Sequence, residues 1–366
     1  MMFYQQITTH SNTVYFRIKM VRRIRFFLFV AFGLVMFSAA DEENDCYLPG
    51  GALGKCLHIK ECDSIFKDIS MPYSADALEP IVCSENKVCC RHFPTYVAKE
   101  VCRRYVEELS PNTKVATQIY NGDIVNRGEF PHMAALGIVS GKAIQFICGG
   151  TLISSRFIMT AAHCVVQDNL NFHARLGATE IDDVYTKNLD HPVDEVIEHP
   201  KYNRFSKQND IALFRLAKDI AFLANIQFPA CLQTDVEDPQ TEMQIAGWGR
   251  TYGSNKGVGS TSLLKASVTK TSPEECSEKL NRPQPFPTEG QICAENKINH
   301  ADACQGDSGG PLKVSIGNES YSLYKVIGIT SFGKSCHTGN PGVYTRVSYY
   351  LDWIVETVWP DDLFLD

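Results

Sequence analysis

Residues Gly306-Asp307-Ser308-Gly309-Gly310-Pro311 are the most informative stretch of this 366-residue chain. A serine between small residues is exposed on a tight turn, and the glycines let backbone N–H groups approach a reacting carbonyl. The alternative is a glycine-rich turn with an ordinary surface serine. Because a hydroxyl is a weak nucleophile, the catalytic interpretation requires a base elsewhere in the chain.

Two further motifs supply partners for that serine. Thr160-Ala161-Ala162-His163-Cys164 places a histidine at the end of an apolar stretch, and Asn209-Asp210-Ile211-Ala212-Leu213 places an aspartate where an apolar strand begins. Either residue alone would more often be structural. Together, in the order His163, Asp210, Ser308, they form a set suited to nucleophilic catalysis, and we predict that they are the catalytic residues.

The sequence around these motifs is typical of β-structure. From residue 119 onward, short runs rich in β-formers alternate with Gly, Pro, Asn and Asp turns, which predicts an all-β barrel or sandwich. The runs include Phe146–Cys148, Phe157–Thr160, Ala212–Leu216 and Gln244–Trp248. The last segment differs, because Tyr349–Trp359 has helical periodicity and stops at Pro360.

The N-terminus has the order of a secretion signal. Arg22, Arg23 and Arg25 precede an apolar run at 26–37, and small residues follow up to Ala40. The run is shorter than the roughly 17–25 residues of a membrane-spanning helix. We therefore predict a cleaved signal peptide over residues 1–40 and no stable membrane span after its removal, with a signal anchor as the alternative. Whether translation starts at Met1 or Met20 is left open.

Charge and cysteine content agree with an extracellular protein. The formal net charge is −7, and loss of the basic signal makes the mature chain more acidic. An acidic surface argues against nucleic acid as a partner. In an oxidising compartment the 14 cysteines indicate disulfides, whereas metal or redox chemistry would be favoured in the cytosol. A metal site at Cys89-Cys90 with His92 is the less favoured alternative, and we predict no bound metal.

Residues 119–366 resemble the trypsin/chymotrypsin family of serine proteases. The resemblance rests on the three motifs above together with Ile119-Tyr120-Asn121-Gly122, Gly247-Trp248-Gly249 and Pro341-Gly342-Val343-Tyr344. It implies two six-stranded antiparallel β-barrels with a C-terminal helix and a catalytic triad between the barrels.

The family mechanism then implies a role for each candidate residue. Ser308 would attack the scissile carbonyl, His163 would carry the proton, and Asp210 would orient the imidazole. The N–H groups of Gly306 and Ser308 would bind the oxyanion.

The resemblance also implies a substrate preference. Asp302 would lie at the base of the primary specificity pocket, where a carboxylate pairs with Arg or Lys. Ala303 stands where trypsin has Ser, which removes a partner for a Lys ammonium, so we predict cleavage after Arg in preference to Lys. Phe332 replaces the Trp usual at the neighbouring subsite. The other implied substrate-binding residues are Ser331, Gly333 and Gly342.

Activation by cleavage follows from the same resemblance. A cut between Gln118 and Ile119 would free an ammonium that pairs with Asp307, and before the cut that buried charge would lack its partner. Most relatives carry Arg or Lys before the cut, so Gln118 predicts an activating protease of unusual specificity. The nearest basic residue, Lys114, is out of register.

Two surface features are weaker predictions. Ala178 stands where trypsin's calcium loop has its first Glu. Glu180, Asp182 and Asp183 could bind calcium, but a solvated acidic loop is favoured. Asn318-Glu319-Ser320 is a glycosylation sequon.

Residues 41–90 are predicted to form a separate module. Six cysteines lie within a segment of about 45 residues, which is too short to bury much hydrophobic core. Six cysteines allow 15 disulfide pairings. Their spacing resembles the clip domain of arthropod serine proteases, which implies the pairs Cys46–Cys89, Cys56–Cys83 and Cys62–Cys90.

The remaining cysteines are assigned by family resemblance. It implies the protease-domain pairs Cys148–Cys164, Cys276–Cys293 and Cys304–Cys336. Residues 91–118 are interpreted as a linker and activation segment, with a helical patch at 97–109. Cys102 of this segment would be tethered to Cys231.

The predicted protein is thus a secreted zymogen of a serine endopeptidase in an extracellular cascade of the immune, melanisation or clotting type. Its implied partners are a protein substrate, itself a zymogen, an upstream activating protease and a serpin-type inhibitor. The alternatives are a non-catalytic protease homologue acting as a binding cofactor and a digestive protease.

Overall fold

The computed structural model describes most of the chain beyond residue 123 and shorter segments before it. The described residues are 8–9, 12–13, 45–47, 53–58, 82–84, 87–91, 94–109, 124–166, 171–182, 184–235, 237–250, 259–282, 286–298, 306–317, 322–334 and 339–360. The chain divides into two units, Met1–Asp45 and Cys46–Asp366.

The first unit contains one short antiparallel pair, β1 (Thr8–Thr9) with β2 (Asn12–Thr13). The predicted signal peptide otherwise lies outside the described residues. No helix in the described part of the chain has the length and apolar character needed to cross a membrane.

A four-stranded sheet follows in the region predicted as the clip-like module. Its order is β3-β4-β6-β5, and the strands are β3 (Asp45–Tyr47), β4 (Leu53–His58), β5 (Val82–Ser84) and β6 (Lys87–Arg91). The antiparallel register of β4 and β6 sets Cys56 opposite Cys89. The three predicted clip pairings lie outside the described side chains.

Helix α1 (Pro94–Leu109) occupies the first half of the predicted linker. Its apolar residues recur every three or four positions, so they share one face. That face is buried in the same hydrophobic cluster as the first barrel and the C-terminal helix; its residues are Val97, Ala98, Val101, Tyr105 and Leu109. The helical patch is therefore packed against the protease rather than exposed as a free connector.

Two further contacts hold α1 in place. The disulfide Cys102–Cys231 links it to the protease domain, as the resemblance implied. The Tyr105 hydroxyl donates to the Ile153 carbonyl at 2.8 Å, which satisfies the polar end of a buried ring.

The first barrel is a closed sheet of six antiparallel strands in the order β10-β11-β12-β9-β8-β7. The strands are β7 (Met133–Ser140), β8 (Ala143–Leu152), β9 (Phe157–Thr160), β10 (Phe172–Leu176), β11 (Asp190–Glu198) and β12 (Ala212–Leu216).

The second barrel is formed by β14–β19, and β13 adds to it in parallel alongside β18. Pairing of β18 with β19 closes six antiparallel strands into a ring. The strands are β13 (Cys231–Leu232), β14 (Met243–Gly247), β15 (Leu264–Lys270), β16 (Gln291–Glu295), β17 (Pro311–Ser315), β18 (Tyr324–Phe332) and β19 (Gly342–Arg346).

Two short helices complete the domain. Helix α2 (Pro273–Leu280) begins with Ser272, whose hydroxyl accepts a hydrogen bond from the Glu275 N–H as an N-cap. Helix α3 (Leu351–Val358) buries an apolar face in the core. The predicted all-β class, two six-stranded barrels and a C-terminal helix are confirmed.

Lys313, on β17, is an unexpected member of the core. Its side chain is fully buried, and its Nζ has no hydrogen-bond partner among the described residues. The ammonium lies 3.5 Å from the centroid of the Phe130 ring and 5.3 Å from that of Tyr324, and these rings offer it only cation–π contacts. Burial lowers the pKa of Lys313 to about 7.

Replacing this lysine should stabilise the protein. The unfolded chain holds a proton on Lys313 up to about pH 10.5, whereas the folded chain releases it near pH 7. The unfolded state therefore binds more protons between these values, and the stability of the native protein rises with pH across them. We expect Lys313→Met to raise the free energy of unfolding at pH 7 by a few kcal/mol, with a smaller gain at pH 9.

Urea denaturation at the two pH values measures this difference. The matched control is Lys325→Met, which replaces a partly exposed lysine on the neighbouring strand β18. A Lys313→Met protein that is no more stable than the native chain at pH 7 would contradict the assignment of an unpaired buried ammonium.

Candidate active site

His163 and Asp210 meet because β9 and β12 pair side by side. His163 lies in a 3₁₀ turn just after β9, Asp210 lies just before β12, and the antiparallel register sets Ala212 opposite Thr160. His163 Nδ1 lies 2.8 Å from Asp210 Oδ2, and the His163 backbone N–H donates to Oδ1 at 2.9 Å. The two bonds fix both the position of the histidine and the orientation of its ring.

Asp210 is completely buried, whereas the His163 side chain is 18% exposed. Burial alone would raise the pKa of Asp210, but the hydrogen bonds that it accepts from His163 and Ser331 outweigh burial and leave the pKa below its ordinary value. The carboxylate is therefore ionised at neutral pH and can stabilise a protonated imidazole.

The second barrel supplies the remaining donors around Asp210. The Ser331 hydroxyl on β18 donates to Oδ2, and the Thr345 hydroxyl on β19 donates to the Asp210 carbonyl at 2.9 Å. Ser331 had been predicted only as a substrate-binding residue, and the role of Thr345 was missed. Neither contact has a local sequence signal, because each depends on how the two barrels meet.

Ser308 lies on a turn that packs against β8 and the end of β9, which His163 follows. The Gly149 N–H on β8 donates to the Ser308 carbonyl at 2.7 Å, and the Gly310 N–H closes the turn onto the Asp307 carbonyl at 2.9 Å. Gly309 has a φ of +78°, and a Cβ there would lie 2.1 Å from Thr160 Oγ1. Glycine at 309 is thus required for the turn to approach the end of β9, where His163 follows.

Asp307 sits in a cradle made by Gly247 and Gly249. Its Oδ1 accepts a hydrogen bond from the Gly249 N–H at 2.7 Å. A Cβ at Gly247 would lie 2.0 Å from Oδ1, and one at Gly249 would lie 2.4 Å from Oδ2. The glycines of the Gly-Trp-Gly motif therefore make room for this carboxylate. Gln118 and Ile119, the predicted activation residues, lie outside the described residues.

The predicted specificity pocket is described only in part. Asp302 and Ala303 lie outside the described residues, as do Asn318, Cys304 and Cys336. Gly342 is buried at the start of β19, and Gly333 is exposed just after β18. Phe332 is half-buried beneath the Arg282 guanidinium, 5.4 Å from its ring centroid. The disulfides Cys148–Cys164 and Cys276–Cys293 are present.

An open cavity of about 490 Å³ borders Gly306 in the glycine turn. It is lined by Phe146, Ile147, Cys148, Trp248 and Gly306, among others. Because Gly306 borders it, the cavity opens beside the turn that carries Ser308.

Two places bear on metal binding. One group of potential metal ligands in the described part of the chain consists of Cys148, His163 and Cys164. The sulfurs of its two cysteines are joined in a disulfide. At the predicted calcium loop, Arg175 donates to Asp182 Oδ1 at 2.8 Å and to Asp190 Oδ1 at 2.7 Å. A buried guanidinium thus neutralises these carboxylates, and it was missed from sequence because it is contributed by β10. Asp183 lies outside the described residues.

Comparison with known proteins identifies the family. The sequence profile described as Trypsin matches residues 119–354. The chain belongs to the trypsin family of serine proteases. It is 33% identical to Phenoloxidase-activating factor 1 of Holotrichia diomphalia over 93% of this chain and 100% of that protein. It is also 32% identical to CLIP domain-containing serine protease C9 of Anopheles gambiae, over 87% of this chain and 86% of that protein.

A third relative is Serine protease Hayan of Drosophila melanogaster, 40% identical over 68% of this chain. The matched region spans 40% of the length of Hayan. Together these relatives place the chain among the arthropod clip-domain serine proteases, as the cysteine spacing and the motifs implied.

The cradle of Asp307 gives a direct test of this trypsin-family site. In Gly247→Ala the new methyl group would overlap Asp307 Oδ1, so the carboxylate and the adjoining Ser308 turn must shift. Because small misplacements of catalytic groups are costly, we expect kcat/KM of the cleaved protein on an Arg peptide to fall by about 10².

Gln244→Ala, on the same strand β14 but away from Asp307, should leave kcat/KM unchanged. Active-site titration alongside the rate measurement distinguishes a misplaced site from a lower fraction of active protein. Native activity in Gly247→Ala would show that the cradle does not position Ser308.

Proposed function

We propose that this protein is a secreted zymogen of a serine endopeptidase that cleaves other proteins after Arg. The observation that carries the proposal is the buried, ionised Asp210 bonded twice to His163, beside the glycine turn of Ser308. These are the three groups that nucleophilic acyl transfer by a hydroxyl needs.

Each residue then has one task. His163 accepts the proton of the Ser308 hydroxyl as its oxygen attacks the carbonyl, and it returns that proton to the leaving amine. Asp210 holds the ring so that the nitrogen facing away from it is free to act as the base. The N–H groups of Gly306 and Ser308 stabilise the oxyanion, and release of the acyl group by water repeats the sequence.

Family membership supports the cascade role. Phenoloxidase-activating factor 1 matches over its whole length, and Melanization protease 1 of Drosophila melanogaster is 29% identical over 98% of its length. We propose by similarity that the substrate is another extracellular zymogen in a melanisation or immune pathway. The presence of all three catalytic residue types favours this over a non-catalytic homologue, and the clip-like module favours it over a digestive enzyme.

Specificity, control and modification complete the proposal. Asp302 binds the substrate Arg, and the absence of a hydroxyl at Ala303 lowers the rate after Lys. A serpin-type inhibitor ends the activity, and Asn318 is the expected glycosylation site. The Arg175 contacts support the view that the loop around Asp182 holds its shape without calcium.

Loss of the nucleophile tests the catalytic proposal. We expect Ser308→Ala to reduce kcat on a fluorogenic Arg substrate by about 10⁶, because no other group in the site can form the acyl intermediate. The substitution Ser140→Ala at the exposed end of β7 is the matched control. The activated native protein should turn over the Arg substrate faster than its Lys counterpart. Residual activity in Ser308→Ala near the native level would refute the mechanism, and equal rates on the two substrates would refute the pocket assignment.

The activation step is tested separately. Because Gln118 is not a tryptic site, trypsin should fail to activate the native zymogen, whereas Gln118→Arg should allow trypsin to release an active form that begins at Ile119. N-terminal sequencing of that form and its activity on the Arg substrate are the measurements. Cleavage of either protein after Lys114 leaves extra residues ahead of Ile119 and should give no activity. An active native form that begins at another residue would overturn the proposed cut.

A further inference from the structure

Thr160, the last residue of β9, is a buried polar side chain at the end of an apolar strand. The three residues before it are Phe157, Ile158 and Met159. Thr160 is completely buried, and its hydroxyl donates to the Gly149 carbonyl on β8 at 2.8 Å. Burial of a hydroxyl costs free energy unless it is hydrogen-bonded, and valine would fill the same space without that requirement. The bond to Gly149 is therefore what distinguishes threonine from valine at this position.

This hydrogen bond extends the contact between β8 and β9 beyond their backbone pairing. The register of the two strands pairs Thr151 with Met159 at the end nearer the catalytic site. Gly149 and Thr160 lie past this pair, and His163 follows three residues after Thr160. The Thr160 hydroxyl thus joins the two strands just before the chain leaves β9 for the catalytic histidine.

Gly149 connects Thr160 to the turn that carries the nucleophile. Its N–H donates to the Ser308 carbonyl at 2.7 Å, while its own carbonyl accepts the hydrogen bond from Thr160. Gly149 approaches the turn so closely that a Cβ on it would lie 3.1 Å from Gly310 Cα. A displacement of Gly149 would therefore be transmitted to Ser308.

Thr160 also contacts the turn directly. A Cβ at Gly309 would lie 2.1 Å from Thr160 Oγ1, so the hydroxyl oxygen abuts the backbone of the turn. The second barrel holds the turn as well, because the Gly309 N–H donates to the Thr330 carbonyl at 2.8 Å and the Thr330 N–H donates to the Gly310 carbonyl at 2.9 Å. The turn is thus held between the barrels, with Thr160 and Gly149 on the side of the first.

The same strand end determines where the base lies. His163 stands in the 3₁₀ turn that follows β9, and its backbone N–H donates to Asp210 Oδ1 at 2.9 Å. A shift of the Ser308 turn away from β9 would therefore lengthen the separation between the nucleophile and its base. Proton transfer requires these two groups to lie within hydrogen-bond reach of each other.

We propose that Thr160 is a positioning residue, which sets the separation of Ser308 and His163 through its hydrogen bond to Gly149. Its side chain is completely buried, so it acts through Gly149 and the turn rather than on the substrate. This inference rests on the proposed function, since it names a determinant of the rate of the same reaction. Loss of the hydroxyl should slow the chemical step and leave substrate binding intact.

The substitution Thr160→Val tests the proposal, because it removes the hydroxyl and keeps the shape of the side chain. On a fluorogenic Arg amide, kcat per titrated active site should fall about tenfold, since small misplacements of reacting groups are costly, while KM stays near its native value. Thr160→Ser restores the hydroxyl and should recover most of the lost rate. Thr160→Ala lacks the hydroxyl and should be as slow, which keeps the test decisive if the valine variant does not fold.

The matched control is Thr271→Val. Thr271 is also buried, but its hydroxyl has no hydrogen-bond partner in the described part of the chain. This control should retain the native kcat. The proposal is overturned by a native kcat in Thr160→Val, by an equal loss in Thr271→Val, by a loss that Thr160→Ser does not recover, or by a loss that appears in KM.

Binding measured without turnover separates this inference from the proposed function. In fluorescence anisotropy, the cleaved Ser308→Ala and Ser308→Ala/Thr160→Val proteins should bind a labelled Arg peptide equally. Weaker binding by the double variant would show that Thr160 shapes the binding site instead of positioning Ser308. Failure of the activated native protein to cleave the Arg substrate would count against the proposed function. A native protein that is active, with Thr160→Val equally active, would count against Thr160 alone.

Discussion

The arrangement of the site depends on the buried carboxylate of Asp210. An ionised group without access to solvent must be paired and hydrogen-bonded, or its burial is prohibitively unfavourable. Two of its donors come from His163 in the first barrel and one from Ser331 in the second, while Thr345 of the second barrel holds the adjoining carbonyl. The charge is therefore stable only when both barrels are in place, and the same condition orients the imidazole.

Small residues determine how closely the Ser308 turn and the Asp307 carboxylate pack against the strands around the site. Gly309 lets the Ser308 turn contact the end of β9, and Gly247 leaves room for the Asp307 carboxylate. These glycines stand in local motifs, so the glycine turn could be recognised from sequence, and the family resemblance that the motifs support implied the two barrels. Ser331, Thr345, Arg175 and Lys313 could not be assigned their contacts, because those depend on strand register and on the meeting of distant segments.

Helix α1 is a second case in which the sequence predicted an element but not its contacts. Periodicity predicted a helical patch at 97–109, but only the structure shows that its apolar face joins the protease core beside Ile153. A solvent-exposed linker needs no such face, and burying it gains about 25 cal/mol per Å² of apolar surface. Cys102–Cys231 thus reinforces a packed element, and cleavage at Gln118 would leave this element attached by packing as well as by the disulfide.

A cascade protease needs more discrimination than one pocket supplies. Pairing of Asp302 with Arg would separate basic from other residues, yet Arg is common on protein surfaces. Further selection must come from contacts that are individually weak, and a contact of about 1 kcal/mol changes the rate only about fivefold. Such contacts are useful when they are rigid and act together, because flexible groups would lose the gain to ordering.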